Sequence, residues 1–179
     1  MSETVWKHRA NAPRRLGFGL VTCSSSRFEE LKKGGRVVDL SGDLIVDLLE
    51  KAGHGVVSRK IVSDDMQMIR EETEKLLNTS GVDAIILCGG TGITSRDVTI
   101  ETVVQLLEKE LPGFGEIFRR LSYDEIGSAA ILTRALAGVA KGKVIYCIPG
   151  SPHAVRLCVE KLILPETGHI VKHIREKST

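Results

Sequence analysis

The segment GGTGITSRD, residues 89–97, combines three glycines with a charged pair at its end. It follows the apolar run 82–88, and its glycines leave consecutive backbone N–H groups unobstructed by side chains. Such groups form an anion-binding nest that the positive end of a following helix strengthens, so the segment suits a phosphate. It matches neither the Walker A loop nor the GxGxxG fingerprint. The alternative is a tight turn that needs flexible glycines. The candidate phosphate-binding residues are Gly89, Gly90, Thr91 and Gly92.

Asp97 ends this segment, where its carboxylate would repel a bound phosphate unless a cation lay between them. It could cap a helix that begins near Val98. It could instead hold a Mg²⁺ ion that neutralises bound phosphates. Asp64 and Asp65, which follow the apolar run 55–62, present the same choice. One of the two could cap the next helix while the other shares the metal.

Two further segments with polar groups follow apolar runs. The segment SSSR, residues 24–27, offers three hydroxyls and a guanidinium, or forms a solvated loop. In PGSPH, residues 149–153, Ser151 could donate to an oxyanion or cap a helix, and Pro152 suits a first helical turn. Ligands of open parallel sheets bind beyond the carboxyl ends of the strands. We therefore expect all four segments to converge on one site.

The elements that must position these segments follow from the hydrophobic pattern. Four apolar runs predict β-strands at 16–23, 55–62, 82–88 and 143–148. Amphipathic patterns predict helices at 39–52, 65–77, 98–110 and 154–164. Pro112 would end the third helix, and residues 114–141 could hold a short antiparallel edge strand or hairpin. The alternation predicts βαβ units, and hence an α/β fold with a mostly parallel sheet.

Composition bounds the class of protein. The 179 residues suit a single domain, 1–179, with a basic tail at about 1–14 and a second solvated basic tail at 171–179. A net charge of +2 and an aromatic fraction of 4% favour neither nucleic acid nor a membrane surface as partner. No apolar run approaches the roughly 18 residues of a membrane span, and no signal peptide is recognised. We therefore expect a cytoplasmic protein.

Several kinds of catalytic or metal site are not predicted. The sequence has no CxxC spacing of the kind that binds zinc. It also has no Ser-His-Asp or Cys-His arrangement that would indicate a catalytic nucleophile. His169 and His173 have the i, i+4 spacing of helical metal ligands, but no carboxylate motif accompanies them. The cysteines near strand ends are expected to be small, buried and reduced; they are Cys23, Cys88 and Cys147.

Four longer motifs resemble the MoaB/MogA family of molybdenum cofactor biosynthesis proteins. They are CGGTGITSRDVTIE (88–101), LPGFGEIFR (111–119), SYDEIGSAAILTRALAG (122–138) and IPGSPHAV (148–155). The resemblance runs from about residue 15 to about residue 170, and the last two motifs favour the MoaB branch. It implies a three-layer α/β/α sandwich that binds molybdopterin, a pterin with a dithiolene and a terminal phosphate.

The resemblance also implies an activity. Adenylylating members transfer AMP from Mg-ATP onto the terminal phosphate of molybdopterin and release pyrophosphate. Members assemble as trimers, or as hexamers in the MoaB branch, and their product is used by a downstream metal-insertion protein. A non-catalytic molybdopterin carrier or scaffold is the alternative. A further alternative is a related binding domain that takes another nucleotide substrate.

The family's functional residues match positions of this chain. The pterin-phosphate loop falls on residues 89–92, and the functional aspartates fall on Asp97 and Asp64, as ligands of Mg²⁺ or Mg-ATP. Asp65 stays open as the second acidic ligand, because Ser63 replaces the proline of the family motif. The closing turn matches Gly150 and Ser151. Further candidates for substrate or phosphate contacts are Ser24, Arg27, Arg96 and Arg134.

Overall fold

One mixed sheet runs through the computed structural model, which describes residues 12–176. Within that range its six strands are β1 (Gly17–Cys23), β2 (Gly55–Val62), β3 (Ala84–Cys88), β4 (Lys109–Glu110), β5 (Leu136–Ala140) and β6 (Lys143–Ile148). Their order is β2-β1-β3-β6-β5-β4. Strands β2, β1, β3 and β6 are parallel, whereas β5 pairs antiparallel with β6 and β4 with β5. The four predicted parallel strands and the antiparallel edge are confirmed.

Helices join the strands. They are α1 (Ser25–Lys32), α2 (Leu40–Lys51), α3 (Met66–Asn78), α4 (Thr99–Val103), α5 (Pro112–Ile126), α6 (Pro152–Cys158) and α7 (Leu164–Arg175). Short 3-10 turns follow α4 and α5, at Val104–Leu106 and Gly127–Leu132, and a π-helical turn, Val159–Ile163, separates α6 from α7.

The central strands show why the fold has three layers. All five residues of β3 are buried, and they alternate between two hydrophobic clusters. Ala84 and Ile86 face the cluster that α2, α5, α6 and α7 complete. Ile85 and Leu87 face the cluster that α3 and α4 complete. A strand buried on both faces belongs in a parallel sheet covered by helices on both sides, so the predicted α/β/α sandwich is confirmed.

The predicted helix at 98–110 is wrong beyond its first turns. Helix α4 ends at Val103, and the chain passes through a 3-10 turn into the edge strand β4. Residues 105–110, QLLEKE, favour a helix by intrinsic propensity, so tertiary pairing overrides the local preference. Glu108 and Leu111 donate backbone hydrogen bonds to Val139 and Ala137, so pairing with β5 replaces the helix. Pro112 begins α5 instead of ending a helix, as its position in a first turn allows.

The ends of the described chain also differ from expectation. The expected helix at 154–164 continues as α7 to Arg175, and Val171 in the supposed C-terminal tail is fully buried. The π-helical turn ends at Ile163, two residues before Pro165, whose ring cannot fit an uninterrupted α-helical ladder. Most of the predicted basic tail at 1–14 lies outside the described residues. Within 12–176 no helix is long and apolar enough to cross a membrane.

Candidate functional site

The glycine turn directly after β3 has a backbone conformation that favours glycine. Gly89 and Gly90 have φ values of +102° and +62°. A Cβ atom at Gly89 would lie 2.4 Å from the carbonyl oxygen of Cys23. The first residue of α4 fixes the turn, because the Thr99 hydroxyl donates to the Gly89 carbonyl at 2.9 Å and its N–H donates to the Gly90 carbonyl at 3.0 Å. The backbone is therefore held close to whatever binds beyond it.

A cavity of about 590 Å³ opens at this turn, at the carboxyl ends of β3 and β6. The predicted phosphate-binding residues line one wall, together with Asp97 and Arg134. The closing turn with Gly150 and Ser151 lines another wall. Helices α5 and α6 complete it with apolar side chains, such as Phe118 and Leu157, and with polar ones, such as Glu125 and His153. The cavity therefore combines polar and apolar groups.

Asp97 does not cap a helix. Helix α4 has Val98 at its N-cap position, and no side chain hydrogen-bonds there. One carboxylate oxygen of Asp97 instead accepts from the Thr94 N–H at 2.9 Å and from the Thr94 hydroxyl at 2.6 Å. The Thr94 hydroxyl is the main reason why the pKa of Asp97 is lowered, with backbone N–H groups and the charge of Arg134 adding to it. The ionised carboxylate of Asp97 therefore holds the end of the glycine loop together and lines the cavity.

Asp64 and Asp65 have different surroundings. Asp65 caps α3, because its carboxylate accepts from the Met68 N–H at 2.9 Å. One oxygen of Asp64 accepts from both the N–H and the hydroxyl of Ser25, each at 2.8 Å, at the start of α1. The other oxygen would lie 3.0 Å from a Cβ atom at Gly90. The structure therefore brings Asp64, and not Asp65, to the glycine turn.

Asp64 and Asp97 flank the same turn from two directions. A Cβ atom at Gly92 would lie 2.8 Å from an oxygen of Asp97, much as one at Gly90 would meet Asp64. Within residues 12–176 no group of three or more His, Cys, Asp or Glu side chains is arranged as a complete metal site. Two carboxylates are nevertheless enough for Mg²⁺, which keeps several waters and takes the rest of its ligands from substrate phosphates.

Several of the predicted site residues lie outside the cavity. Asp64, Ser24, Arg27 and Arg96 do not line it. Of the two alternatives for residues 24–27, the solvated loop is wrong, because Ser24 is the N-cap of α1 and residues 25–27 begin that helix. Arg27 donates to the Val38 carbonyl and the Ser24 hydroxyl. Ser151 caps α6 by accepting from the Ala154 N–H at 3.3 Å while it also lines the cavity.

The histidine pair and the cysteines take no part in the cavity. His169 and His173 contact each other on α7, with their Nε2 atoms 2.9 Å apart, and neither lines the cavity. All four cysteines are buried and unpaired, as expected. Cys23 lies beside the glycine turn, but burial raises the pKa of its thiol to about 12. The thiol is protonated at neutral pH and is no nucleophile.

Three residues that position the site were missed in the sequence. Thr99 holds the glycine turn, as described above. Ser41, in the first turn of α2, donates to the Gly150 carbonyl at 2.5 Å. Glu101 forms an ion pair with Arg134. Thr99 and Glu101 could have been identified from their position within the motif at 88–101. No sequence feature pointed to Ser41, which is 109 residues from its hydrogen-bond partner Gly150.

Comparisons with known proteins give this geometry a context. Residues 19–169 match a family model described as a probable molybdopterin binding domain. The chain is 47% identical over 168 residues to molybdenum cofactor biosynthesis protein B of Bacillus cereus, covering 93% of this chain and 95% of that protein. It is 41% identical over 176 residues to the molybdopterin adenylyltransferase of Pyrococcus furiosus, covering 96% and 99%. A crystal structure of a molybdenum cofactor biosynthesis protein B superposes with a TM-score of 0.85 at 46% identity, covering 93% and 100%.

Proposed function

Because the chain belongs to the MoaB/MogA family of molybdenum cofactor biosynthesis proteins, we propose that it transfers AMP from Mg-ATP onto the terminal phosphate of molybdopterin. A phosphate oxygen of molybdopterin bonds to the α-phosphorus of ATP, the bond from that phosphorus to its bridging oxygen breaks, and pyrophosphate leaves. The observation that carries the proposal is the cavity at the glycine turn. Asp97 lines this cavity, whereas Asp64 lies outside its lining but beside Gly90 of the same turn.

The reaction needs little from side chains acting as bases. The attacking phosphate oxygen is already anionic at neutral pH, so no proton has to be removed before it attacks. The difficulty is to bring two polyanions into line at short distance, which calls for positioning and for positive charge. The glycine turn supplies a close backbone approach to a phosphate, and the turn with Gly150 and Ser151 lies beside it in the same cavity.

Asp64 and Asp97 are the residues that would hold Mg²⁺ or Mg-ATP. Asp97 is ionised, and its second carboxylate oxygen is not required by Thr94. Asp64 likewise uses one oxygen for Ser25, while its other oxygen approaches Gly90. When bound, the metal ion would neutralise charge on the phosphates that meet in the cavity. Ser24, Arg27 and Arg96, outside the cavity, are proposed as contacts to parts of the substrates that extend beyond it.

A turnover assay tests the proposal. Purified protein is incubated with molybdopterin and Mg-ATP, and adenylylated molybdopterin is sought by mass spectrometry. The Asp97→Asn variant runs alongside, with Asp47→Asn as the matched control, since Asp47 is exposed on α2 and pairs with Lys51. Product from wild type and Asp47→Asn, but not from Asp97→Asn, supports the adenylyltransferase. Bound molybdopterin without product from wild type would leave a carrier or scaffold.

Assembly, location and domain structure extend the proposal. We propose one domain over residues 1–179, acting in the cytoplasm as a trimer or hexamer and passing its product to a metal-insertion protein. Exposed apolar side chains on α5 and the 3-10 turn after it support self-association, since Tyr123 is 58% and Ile131 84% exposed. Multi-angle light scattering would give the mass, and a monomer would contradict the assembly.

A further inference from the structure

The guanidinium of Arg134 reaches the cavity wall from the segment that leads into β5. One of its terminal nitrogens donates to the Gly92 carbonyl at 3.1 Å. The other donates to a carboxylate oxygen of Glu101 in α4. The Arg134 side chain is 31% exposed, so it is anchored at two points and still faces solvent within the cavity.

This anchoring leaves donors unused. A guanidinium carries five N–H groups, and the two contacts to Gly92 and Glu101 occupy two of them. Its planar fork matches a phosphate, and a side chain that is already immobilised loses little further entropy when an anion binds. Because Gly92 belongs to the glycine turn, any anion that approaches the turn also approaches Arg134.

We propose that Arg134 receives the terminal phosphate of the pterin substrate and that Glu101 is the positioning residue that aims it. The inference rests on the proposed function, because it takes molybdopterin as the ligand. Glu101 fixes the guanidinium beside the Gly92 carbonyl from α4, the same helix whose first residue, Thr99, fixes the other end of the turn. Helix α4 thus positions both the backbone of the glycine turn and the guanidinium of Arg134, the two groups that would contact the phosphate.

The competing explanation is that Arg134 only clamps the loop to the segment before β5. A clamp would affect every ligand of the cavity alike. A phosphate contact would affect only ligands that carry the phosphate. Molybdopterin and its dephosphorylated form therefore separate the two explanations.

The experiment measures binding of both pterins to wild type, Arg134→Gln, Arg134→Lys and Glu101→Gln, without ATP. We expect Arg134→Gln to weaken molybdopterin binding by about 10- to 50-fold and to change dephospho-molybdopterin binding less than about twofold, as loss of a charge-assisted hydrogen bond requires. Arg134→Lys should recover part of the loss. Glu101→Gln should weaken molybdopterin binding by about three- to tenfold, with the same selectivity.

Matched controls come from another pair of the same kind. Arg120→Gln and Asp124→Asn remove the partners of an exposed i, i+4 ion pair on α5, neither of which lines the cavity. Both should leave the two affinities unchanged. Thermal melting of every variant would show whether it is folded.

Equal weakening of both pterins, or no weakening by Arg134→Gln, would overturn the phosphate contact. Tighter molybdopterin binding by Glu101→Gln would overturn the positioning role, since the carboxylate would then act only by repelling the anion. These outcomes are separate from those of the turnover assay. Wild type that binds molybdopterin selectively but forms no adenylylated product would refute the proposed reaction and leave the inference about Arg134 intact.

Discussion

The N-terminus of α2 and the glycine loop each hold an aspartate whose pKa is lowered, in different surroundings. Burial of Asp39, which is 3% exposed, opposes its ionisation, but hydrogen bonds outweigh that effect. They come from Arg59 at 2.9 Å, the Thr22 hydroxyl at 2.8 Å and the Gly42 N–H at 3.1 Å. Both oxygens of Asp39 are thereby engaged by the protein.

Asp97 owes its lowered pKa chiefly to the Thr94 hydroxyl. Partial burial opposes ionisation, but backbone N–H groups and the charge of Arg134 add to the hydroxyl and outweigh it. Thr94 engages one of its oxygens, and the carboxylate lines the cavity. A lowered pKa by itself therefore does not identify a functional carboxylate. Asp39 uses its charge to join β1, β2 and α2, whereas Asp97 keeps part of its binding capacity for a ligand.

The largest effect is expected from Asp39→Ala. The substitution removes the cap of α2 and leaves Arg59 without its buried partner, so the free energy of unfolding should fall by about 3 kcal/mol. Urea denaturation measures it. Asp43→Asn is the control, because Asp43 pairs with the same Arg59 but is 63% exposed, and it should cost less than about 1 kcal/mol. Equal losses from the two variants would show that burial of Asp39 contributes nothing.

Asp97→Asn should lower activity strongly and stability little. We expect the rate of adenylyl transfer to fall on the order of 100-fold, because a neutral amide is a poor ligand for Mg²⁺. The free energy of unfolding should change by less than about 1 kcal/mol, since an amide oxygen still accepts from Thr94. Rate measurements and urea denaturation on the same preparation check both. A large loss of stability with normal turnover would make Asp97 a structural residue like Asp39.

Ser41→Ala tests the link between the two regions. Ser41 follows Asp39 in the first turn of α2, is 2% exposed, and donates to the Gly150 carbonyl at the cavity wall. Losing this hydrogen bond should cost about 1 kcal/mol of stability. We also expect a several-fold rise in KM for molybdopterin with little change in kcat, because the wall moves but the metal ligands do not. An unchanged KM would mean that the two regions are independent.

The smallest effect is the contribution of Asp39 to the pH dependence of stability. Its pKa in the folded state lies below the ordinary value of 3.8. The stabilisation by its ionised form is therefore fully present above about pH 4 and is lost as the pH falls through the folded-state pKa. Urea denaturation between pH 5 and pH 3 should show a smaller loss of stability for Asp39→Asn than for wild type. Equal losses would show that other carboxylates dominate.

Much of the site could be predicted because it lies in short, continuous segments. The glycine turn, Asp97 and the turn with Gly150 each follow an apolar run, and strand ends of a parallel sheet meet at one edge. The choice between Asp64 and Asp65 could not be made locally. Adjacent residues have the same chemistry, and only the position of α1 and of Gly90 separates a metal-site candidate from a cap.

Local sequence patterns were enough to predict the four parallel strands, helices between them and the segments that meet at the edge of the sheet. Hydrophobic periodicity and glycine spacing are local properties, and they act before any tertiary contact forms. Three features depend on tertiary contacts: the pairing of 108–111 with β5, the packing of Val171 of α7 into the core, and the carboxylate oxygens that remain for a ligand. Those outcomes depend on partners far away in the chain, such as Glu101 for Arg134 and Ser41 for Gly150, because hydrogen bonds between distant segments exist only once the layers have packed.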